Sequence, residues 1–112
     1  MIWFILIVMV FHGLIHLMGF FNELGIAKIQ ELSGKTLISL PDYMHSILGV
    51  VWLIACVLFI LSAIGLVTKR SWWKKITVIA VIVSQVLIII WWPDAKNGTI
   101  ANALIMLGYF VL

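Results

Sequence analysis

Charged side chains are scarce in this 112-residue sequence: they make up 10% of it, whereas 65% of the residues are hydrophobic. Soluble domains average roughly 25% charged and 45–50% apolar residues. A domain of this size buries only about 60–70% of its surface, so a water-soluble fold could not hide this much apolar surface. The composition therefore excludes an ordinary soluble domain.

Cysteine and recognisable catalytic motifs are also scarce. Cys56 is the only cysteine, which excludes an internal disulfide. No nucleophile elbow, phosphate-binding loop or zinc signature occurs in the chain. We therefore do not expect an enzyme of a common class.

The hydrophobic residues fall into four blocks without charge: 1–21, 43–68, 76–93 and 97–112. A membrane-spanning helix needs about 20 predominantly apolar residues. The first block lacks the positive start and the cleavage site of a signal peptide, so we expect a retained helix. We predict an all-α fold, an integral membrane four-helix bundle forming a single transmembrane domain over 1–112, with helices near 2–21, 43–67, 72–92 and 98–112. The fourth helix is short, which predicts a thinned or tilted setting or a longer parent chain.

The basic residues predict the orientation. Four of the seven, Lys69, Arg70, Lys74 and Lys75, lie between the second and third blocks, and short loops rich in lysine and arginine stay in the cytoplasm. Both termini are then cytoplasmic, and we expect the bacterial cytoplasmic membrane. This orientation explains the net charge of +3 without a nucleic-acid partner. The pairs Trp72–Trp73 and Trp91–Trp92 are placed as interfacial belts at the inner and outer boundaries, respectively.

The first outer loop, 22–42, is long for a helix hairpin. Ile26, Ile29 and Leu32 recur at roughly helical spacing and are followed by Ser33 and Gly34, a plausible helix stop. This pattern predicts a short interfacial helix on the outer surface. Pro93 and Asp94 predict a tight turn between the last two helices.

Three stretches carry a resemblance: HGLIHLMGF from His12, GVVWLIACVLFILSA from Gly49 and SQVLIIIWWPDAKNGTIANALI from Ser84. Together they resemble a family of uncharacterised bacterial membrane proteins with this helical module at the N-terminus. The likeness covers nearly the whole chain, and its most specific part lies between Trp92 and Asn102. It implies a four-helix membrane module of unknown activity. A weaker likeness, by helix count, is to the DoxX-like four-helix membrane proteins.

Two histidines within the first block, His12 and His16, are the most informative polar residues. Spaced four apart on a helix, they share one face, and a histidine in a membrane span usually faces the bundle interior or a wet cavity. We predict that both point inward, with His16 at the level of Asn102 and Gln85 and the deeper His12 near Ser84. All four helices thus contribute polar groups to the outer half; the second helix adds Asp42, Tyr43, His45 and Ser46.

Three interpretations of this cluster compete. The polar groups hydrogen-bond one another across helices. Alternatively, His12 and His16 bind a metal or a haem with a third ligand such as His45 or Asp42, because imidazole suits zinc, copper and iron. In the third interpretation they line an outward-open pocket for a small ligand, a quinone or a proton pathway, together with Ser84, Gln85, Asn102, Asp42 and Tyr43.

The favoured functional hypothesis is a small membrane module that assembles with another membrane subunit or with a second copy of itself. The lack of a catalytic constellation and the short fourth helix favour it. The alternative is a membrane redox or ligand-binding protein that uses the outer polar pocket around His12 and His16, with a haem, a metal or a quinone bound there.

Overall fold

The computed structural model describes residues 1–28, 32–33 and 35–112, and this part of the chain is helical without strands. It contains α1 (Ile2–Glu23), α2 (Asp42–Val67), α3 (Trp73–Ile90), α4 (Trp92–Ala95) and α5 (Gly98–Val111). The four longer helices have the predicted positions to within two residues at each end. The single turn of helix α4 was not predicted.

Within the described part of the chain, three helices are long and apolar enough to cross a membrane: α1, α2 and α3. At 1.5 Å per residue they are about 33, 39 and 27 Å long, close to the roughly 30 Å of a bilayer's hydrocarbon core. The 14-residue α5 is shorter, at about 21 Å. Large apolar side chains, among them Trp3, Phe11, Ile54 and Phe110, are exposed on the outside of the helices.

The four longer helices pack in a ring in which α1 and α3 each contact both α2 and α5. Met9, Phe59, Ala80 and Ile105 form the centre of the core, one from each helix. Because 65% of the chain is hydrophobic, the position of each helix depends on which apolar residues face inward, and small residues let the helices approach closely.

Helix α5 runs antiparallel to α1 and covers only part of it. A β-carbon added at Gly108 would lie 2.9 Å from the Ile5 side chain, and one added at Gly98 would lie 3.3 Å from Cε1 of His12. The contact between the two helices therefore extends from Ile5 to His12. Beyond His12, α1 continues for about 16 Å to Glu23, past the start of α5. We call this end of the four-helix ring, where α1 ends and α2 begins, the Glu23 end.

Helices α1 and α2 end in the same backbone motif. At the end of α1, Gly25 has a φ of 70°, and the N–H of Ile26 donates to the carbonyl of Phe21 at 3.0 Å. At the end of α2, Lys69 has a φ of 58°, and the N–H of Arg70 donates to the carbonyl of Gly65 at 2.8 Å. Both are Schellman endings, in which glycine is the usual left-handed residue. Lysine at this position carries a steric cost that Gly25 does not.

The first loop folds against the α3–α5 connection. The backbone N–H of Leu37 donates to the carbonyl of Ile90 at 2.8 Å, and the N–H and hydroxyl of Ser33 both donate to Asp94 at 3.0 and 2.7 Å. Of the residues on which the interfacial helix was predicted, Ile26 and Leu32 are not helical. Ile29 and Gly34 lie outside the described residues, as does the rest of that prediction between Lys28 and Leu32.

The two tryptophan pairs are each divided between the interior and the surface. Trp73 and Trp91 are buried, whereas Trp72 and Trp92 are 41% and 39% exposed. Trp73 and Trp91 therefore pack inside the bundle, and the predicted interfacial depth of both pairs stays a prediction. Adjacent residues on a helix point about 100° apart, so two neighbours rarely share one environment.

Candidate functional site

His12 and His16 are buried in the interior, with 4% and 1% of their surface exposed, and their rings meet edge to face with centroids 4.5 Å apart. They lie on the buried face of α1 with Met9 and Gly19. Nδ1 of His16 is 2.6 Å from the carbonyl oxygen of His12. A carbonyl oxygen only accepts, so Nδ1 carries the hydrogen and Nε2 of His16 is left to accept.

A ring of hydrogen bonds connects the two histidines to α3 and α5. Nε2–H of His12 donates to Oδ1 of Asn102 at 2.8 Å. Nδ2 of Asn102 donates to Oγ of Ser84 and to Oε1 of Gln85, both at 3.1 Å. The Ser84 hydroxyl then donates to Nε2 of His16 at 2.7 Å. We call the residues His12, His16, Ser84 and Asn102 the polar ring. Each of them both donates and accepts a hydrogen bond; in His12 the acceptor is the backbone carbonyl.

The inward orientation predicted for both histidines is confirmed, but their partners are exchanged. His12, not His16, bonds to Asn102, and His16, not His12, bonds to Ser84. The prediction placed the start of α5 at the outer end of the ring. Instead, Gly98 packs against Ile88 and His12, so α5 begins deeper. Asn102, one turn further along α5, therefore reaches the deeper histidine.

A cavity of about 270 Å³ lies beside the polar ring, on the side of the Glu23 end. It occupies the space next to the part of α1 that extends past α5, with α4 and the first loop on its other side. His12, His16 and Gly19 of α1 contribute to its wall. The remaining wall includes the apolar residues Ile15, Met18, Leu32, Ile88, Ala95 and Ala101.

Two indole rings complete the wall of the cavity. Trp52 of α2 and Trp91, between α3 and α4, are 6% and 3% exposed, with ring centroids 5.6 Å apart. The Trp52 ring also lies 5.1 Å from that of His16. Neither indole Nε1–H has a hydrogen-bond partner among the described residues. Two buried donors therefore lack acceptors in the same wall.

Carboxylates lie where the cavity approaches the Glu23 end. Glu23 lines the cavity and accepts a hydrogen bond from Nδ1 of His45 at 2.5 Å. Asp94 lines it from α4 and is held by Ser33 of the first loop. No lysine or arginine of the described residues contributes to the wall. The cavity is therefore mostly apolar, with acidic groups near one end.

The other predicted site residues lie elsewhere. Ser84, Gln85 and Asn102 form hydrogen bonds around the histidines but are not among the cavity-lining residues. Asp42 and Tyr43 are exposed at the start of α2, and His45 pairs with Glu23. Within the described ranges, no three His, Cys, Asp or Glu side chains are grouped closely enough to hold a metal ion. The proposed third ligands, His45 and Asp42, are thus not brought together with the histidine pair.

The sequence analysis missed Trp52, Trp91 and Gly19 as parts of the site. The available signal was the placement of Trp52 in the middle of a charge-free block, where its N–H needs a partner or a cavity. A β-carbon added at Gly19 would lie 2.7 Å from the Trp52 ring, so glycine at this position lets the indole lie against α1.

Comparisons with protein-family models, with curated proteins and with solved structures find no match to the chain.

Proposed function

We propose that this protein is an integral membrane four-helix bundle that binds a small, largely apolar molecule in the cavity at its Glu23 end. The observation that carries the proposal is the cavity of about 270 Å³ next to the polar ring. Protein interiors are normally packed with few voids larger than a water molecule. A concave, mostly apolar site with a few polar groups is typical of ligand binding.

The membrane setting is supported by the three long apolar helices and by the exposed apolar side chains around them. The basic connection between α2 and α3, which contains Lys69, Arg70, Lys74 and Lys75, favours a cytoplasmic position for that loop. Both chain ends are then cytoplasmic, and the cavity lies in the outer half of the bilayer. The α5 helix reaches only the level of His12, so the fourth position of the ring is incomplete in that half.

The polar ring supports a structural role for the two histidines beside the cavity. Nε2 of His12 and both nitrogens of His16 are already engaged in hydrogen bonds within the protein. Fully satisfied buried networks rigidify a core and define a unique arrangement of helices. The histidines thus hold α1, α3 and α5 together and form one wall of the cavity. Assembly with another subunit or with a second copy stays a prediction, as does the resemblance to the bacterial membrane family.

The size of the cavity indicates the size of the ligand. A dry, apolar cavity of about 150 Å³ is sufficient to bind benzene. A cavity of about 270 Å³ is therefore large enough for a two-ring molecule. Indane, an apolar two-ring hydrocarbon, is a suitable probe of whether the space accepts a ligand.

The test is a titration of the purified protein in detergent micelles with indane, followed by the NMR signals of the tryptophan indole N–H groups. Ala101→Leu extends an apolar side chain from the cavity wall, whereas Ala103, on the same helix, is exposed and does not line the cavity. We expect wild type and Ala103→Leu to bind indane equally, and Ala101→Leu to bind it roughly tenfold more weakly. If indane leaves the indole signals of the wild-type protein unchanged up to saturation of the micelles, the proposed function is wrong.

A further inference from the structure

We infer that the ligand of this cavity is a single-chain amphiphile with an uncharged, hydroxyl-bearing head, which enters from the lipid through a lateral opening between α1 and the start of α5. The inference rests on the proposed function and adds the chemical class of the ligand and its route of entry. It begins from a groove on the outside of the bundle that adjoins the cavity.

The groove lies between α1 and α5, and its walls are mainly apolar. Six large apolar side chains contribute to it: Ile7, Val8, Phe11, Ile15, Ile100 and Leu104. Phe11, Ile15 and Ile100 are 63%, 58% and 64% exposed. In a bilayer these side chains face lipid, so the groove is open to hydrocarbon chains.

The groove and the cavity meet at four residues that line both of them: His12 and Ile15 of α1, and Asn97 and Ala101 near the start of α5. Ile15 is part of the cavity wall although most of its surface is exposed on the outside of the bundle. This is the level at which α5 begins, and α1 continues past it without α5 beside it. The cavity therefore opens sideways, and a molecule dissolved in the bilayer reaches it without crossing water.

The polarity along this opening changes as it does along one leaflet of a bilayer. Asn22, Asp94 and Asn97 border the cavity toward the Glu23 end, whereas Ile15 and Phe11 lie deeper along the groove. From Asn22 to Phe11, α1 rises by about 16 Å, which is about half of the roughly 30 Å hydrocarbon core. A chain of ordinary membrane length therefore fits along α1 with its polar head at the level of Asn22.

The charges near the Glu23 end favour an uncharged head. Glu23 and Asp94 lie in the cavity wall, and no lysine or arginine of the described residues does. An anionic head would be repelled by the carboxylates and would lose its hydration without a compensating cation. A cationic head is not required either, because Glu23 already pairs with His45 and Asp94 already accepts hydrogen bonds from Ser33.

The hydrogen-bonding groups at this level favour hydroxyl groups on the head. The side-chain amides of Asn22 and Asn97 both donate and accept, whereas carboxylates only accept. A hydroxyl group also does both, so it can accept from an amide and donate to a carboxylate. A monoacylglycerol combines such a head with a single hydrocarbon chain and is therefore the probe of choice.

The experiment uses three photoreactive probes that share one hydrocarbon chain with a diazirine near its middle: a monoacylglycerol, an alkyl sulfate and an alkylammonium ion. Each is added at a low mole fraction to phosphatidylcholine nanodiscs that contain the purified full-length chain. Labelled residues are identified by mass spectrometry after irradiation. We expect the monoacylglycerol to label the groove residues Phe11 and Leu104 roughly tenfold more than Ile54, which is exposed on α2. Labelling of the groove by either charged probe should be about fivefold weaker.

Two substitutions on α5 test the groove directly. Leu104→Trp narrows the groove, whereas Leu107→Trp adds the same side chain at an exposed position that lines neither the groove nor the cavity. We expect labelling of Phe11 and Ile15 by the monoacylglycerol to fall roughly tenfold in the first variant and to be retained in the second. The labelling pattern of the wild-type protein tests the inference even if a variant does not fold.

Three results would overturn the inference. Equal labelling of the groove and of Ile54 would show ordinary contact with lipid instead of a site. Equal labelling of the groove by the three probes would show that the head is not recognised. Stronger labelling by either charged probe would show that the charge of the head governs binding. Indane has no polar head, so its binding to the cavity tests the proposed function separately, and the two failures are distinguishable.

Discussion

Two fully buried serines, one with a hydrogen-bonded hydroxyl and one without a hydrogen-bond partner among the described residues, provide the sharpest test of the polar ring. Ser84 and Ser62 are both fully buried. The Ser84 hydroxyl donates to His16 at 2.7 Å and accepts from Asn102 at 3.1 Å. The Ser62 hydroxyl has no partner among the described residues. Changing each to alanine removes the same atom, but only in the polar ring does the change leave other groups unsatisfied.

The expected magnitudes follow from this difference. Ser84→Ala removes the hydrogen bonds to His16 and from Asn102, together with a longer one from Nε2–H of His12 at 3.4 Å, and it leaves Nε2 of His16 without a donor. Side-chain hydrogen bonds between membrane helices average about 0.6 kcal/mol and reach about 1.7 kcal/mol, and a buried group left unsatisfied costs about 1–3 kcal/mol. We expect Ser84→Ala to lower the free energy of unfolding by about 1–2 kcal/mol. Ser62→Ala removes an unpaired buried hydroxyl and should leave stability unchanged or raise it by up to about 1 kcal/mol.

The assay is reversible unfolding in mixed micelles, monitored by circular dichroism as the fraction of denaturing detergent increases. A difference of about 1.4 kcal/mol corresponds to a tenfold change in the unfolding equilibrium constant and is readily resolved. Equal effects of Ser84→Ala and Ser62→Ala would refute the argument that the ring of hydrogen bonds holds α1, α3 and α5 together.

Two further predictions concern the ends of the helices. Lys69→Gly should raise the free energy of unfolding by about 1 kcal/mol, because glycine adopts the left-handed conformation without steric cost. Gly25→Ala in the matching motif should lower the free energy of unfolding by a similar amount. A Lys69→Gly variant that is no more stable than wild type in the same unfolding assay would contradict this prediction. In a Cys56→Ala background, single cysteines at Lys35 and Lys74 should react with a membrane-impermeant reagent from opposite sides of the membrane, and labelling of both from one side would exclude the proposed orientation.

The helices were predictable because their signal is local. Blocks without charge determine where each helix begins and ends, whatever its neighbours are, and the cost of placing a histidine against lipid was enough to predict that His12 and His16 face inward. Their hydrogen-bond partners were not predictable in the same way. The residues around Pro93 form an additional helical turn instead of a tight loop, and this moves Asn102 from the level of His16 to that of His12.

The cavity was not predictable because it arises between elements. It depends on how deep in the bundle α5 begins relative to α1. This depth is set where Gly98 lies against His12, and the hydrophobic periodicity of the sequence does not predict that contact. Trp91 is buried and Trp92 is partly exposed because of the rotation of the chain at the end of α3. Both residues are tryptophans, so residue type alone does not predict which of the two is buried. Sequence reasoning therefore found the polar ring but not the indoles.

The limited reach of α5 divides the molecule into two halves that can change independently. From Ile5 and Gly108 to His12 and Gly98, four helices enclose a continuous core, and a substitution there is felt by all of them. Past that level, the fourth position is filled by the short segment 91–97 and by the described part of the first loop, which contact the helices mainly through Trp91 and through the backbone bond from Leu37 to Ile90. Divergent copies of this chain could therefore acquire different ligand preferences through changes in that segment, while the contact between Ile5 and Gly108 continues to maintain the fold.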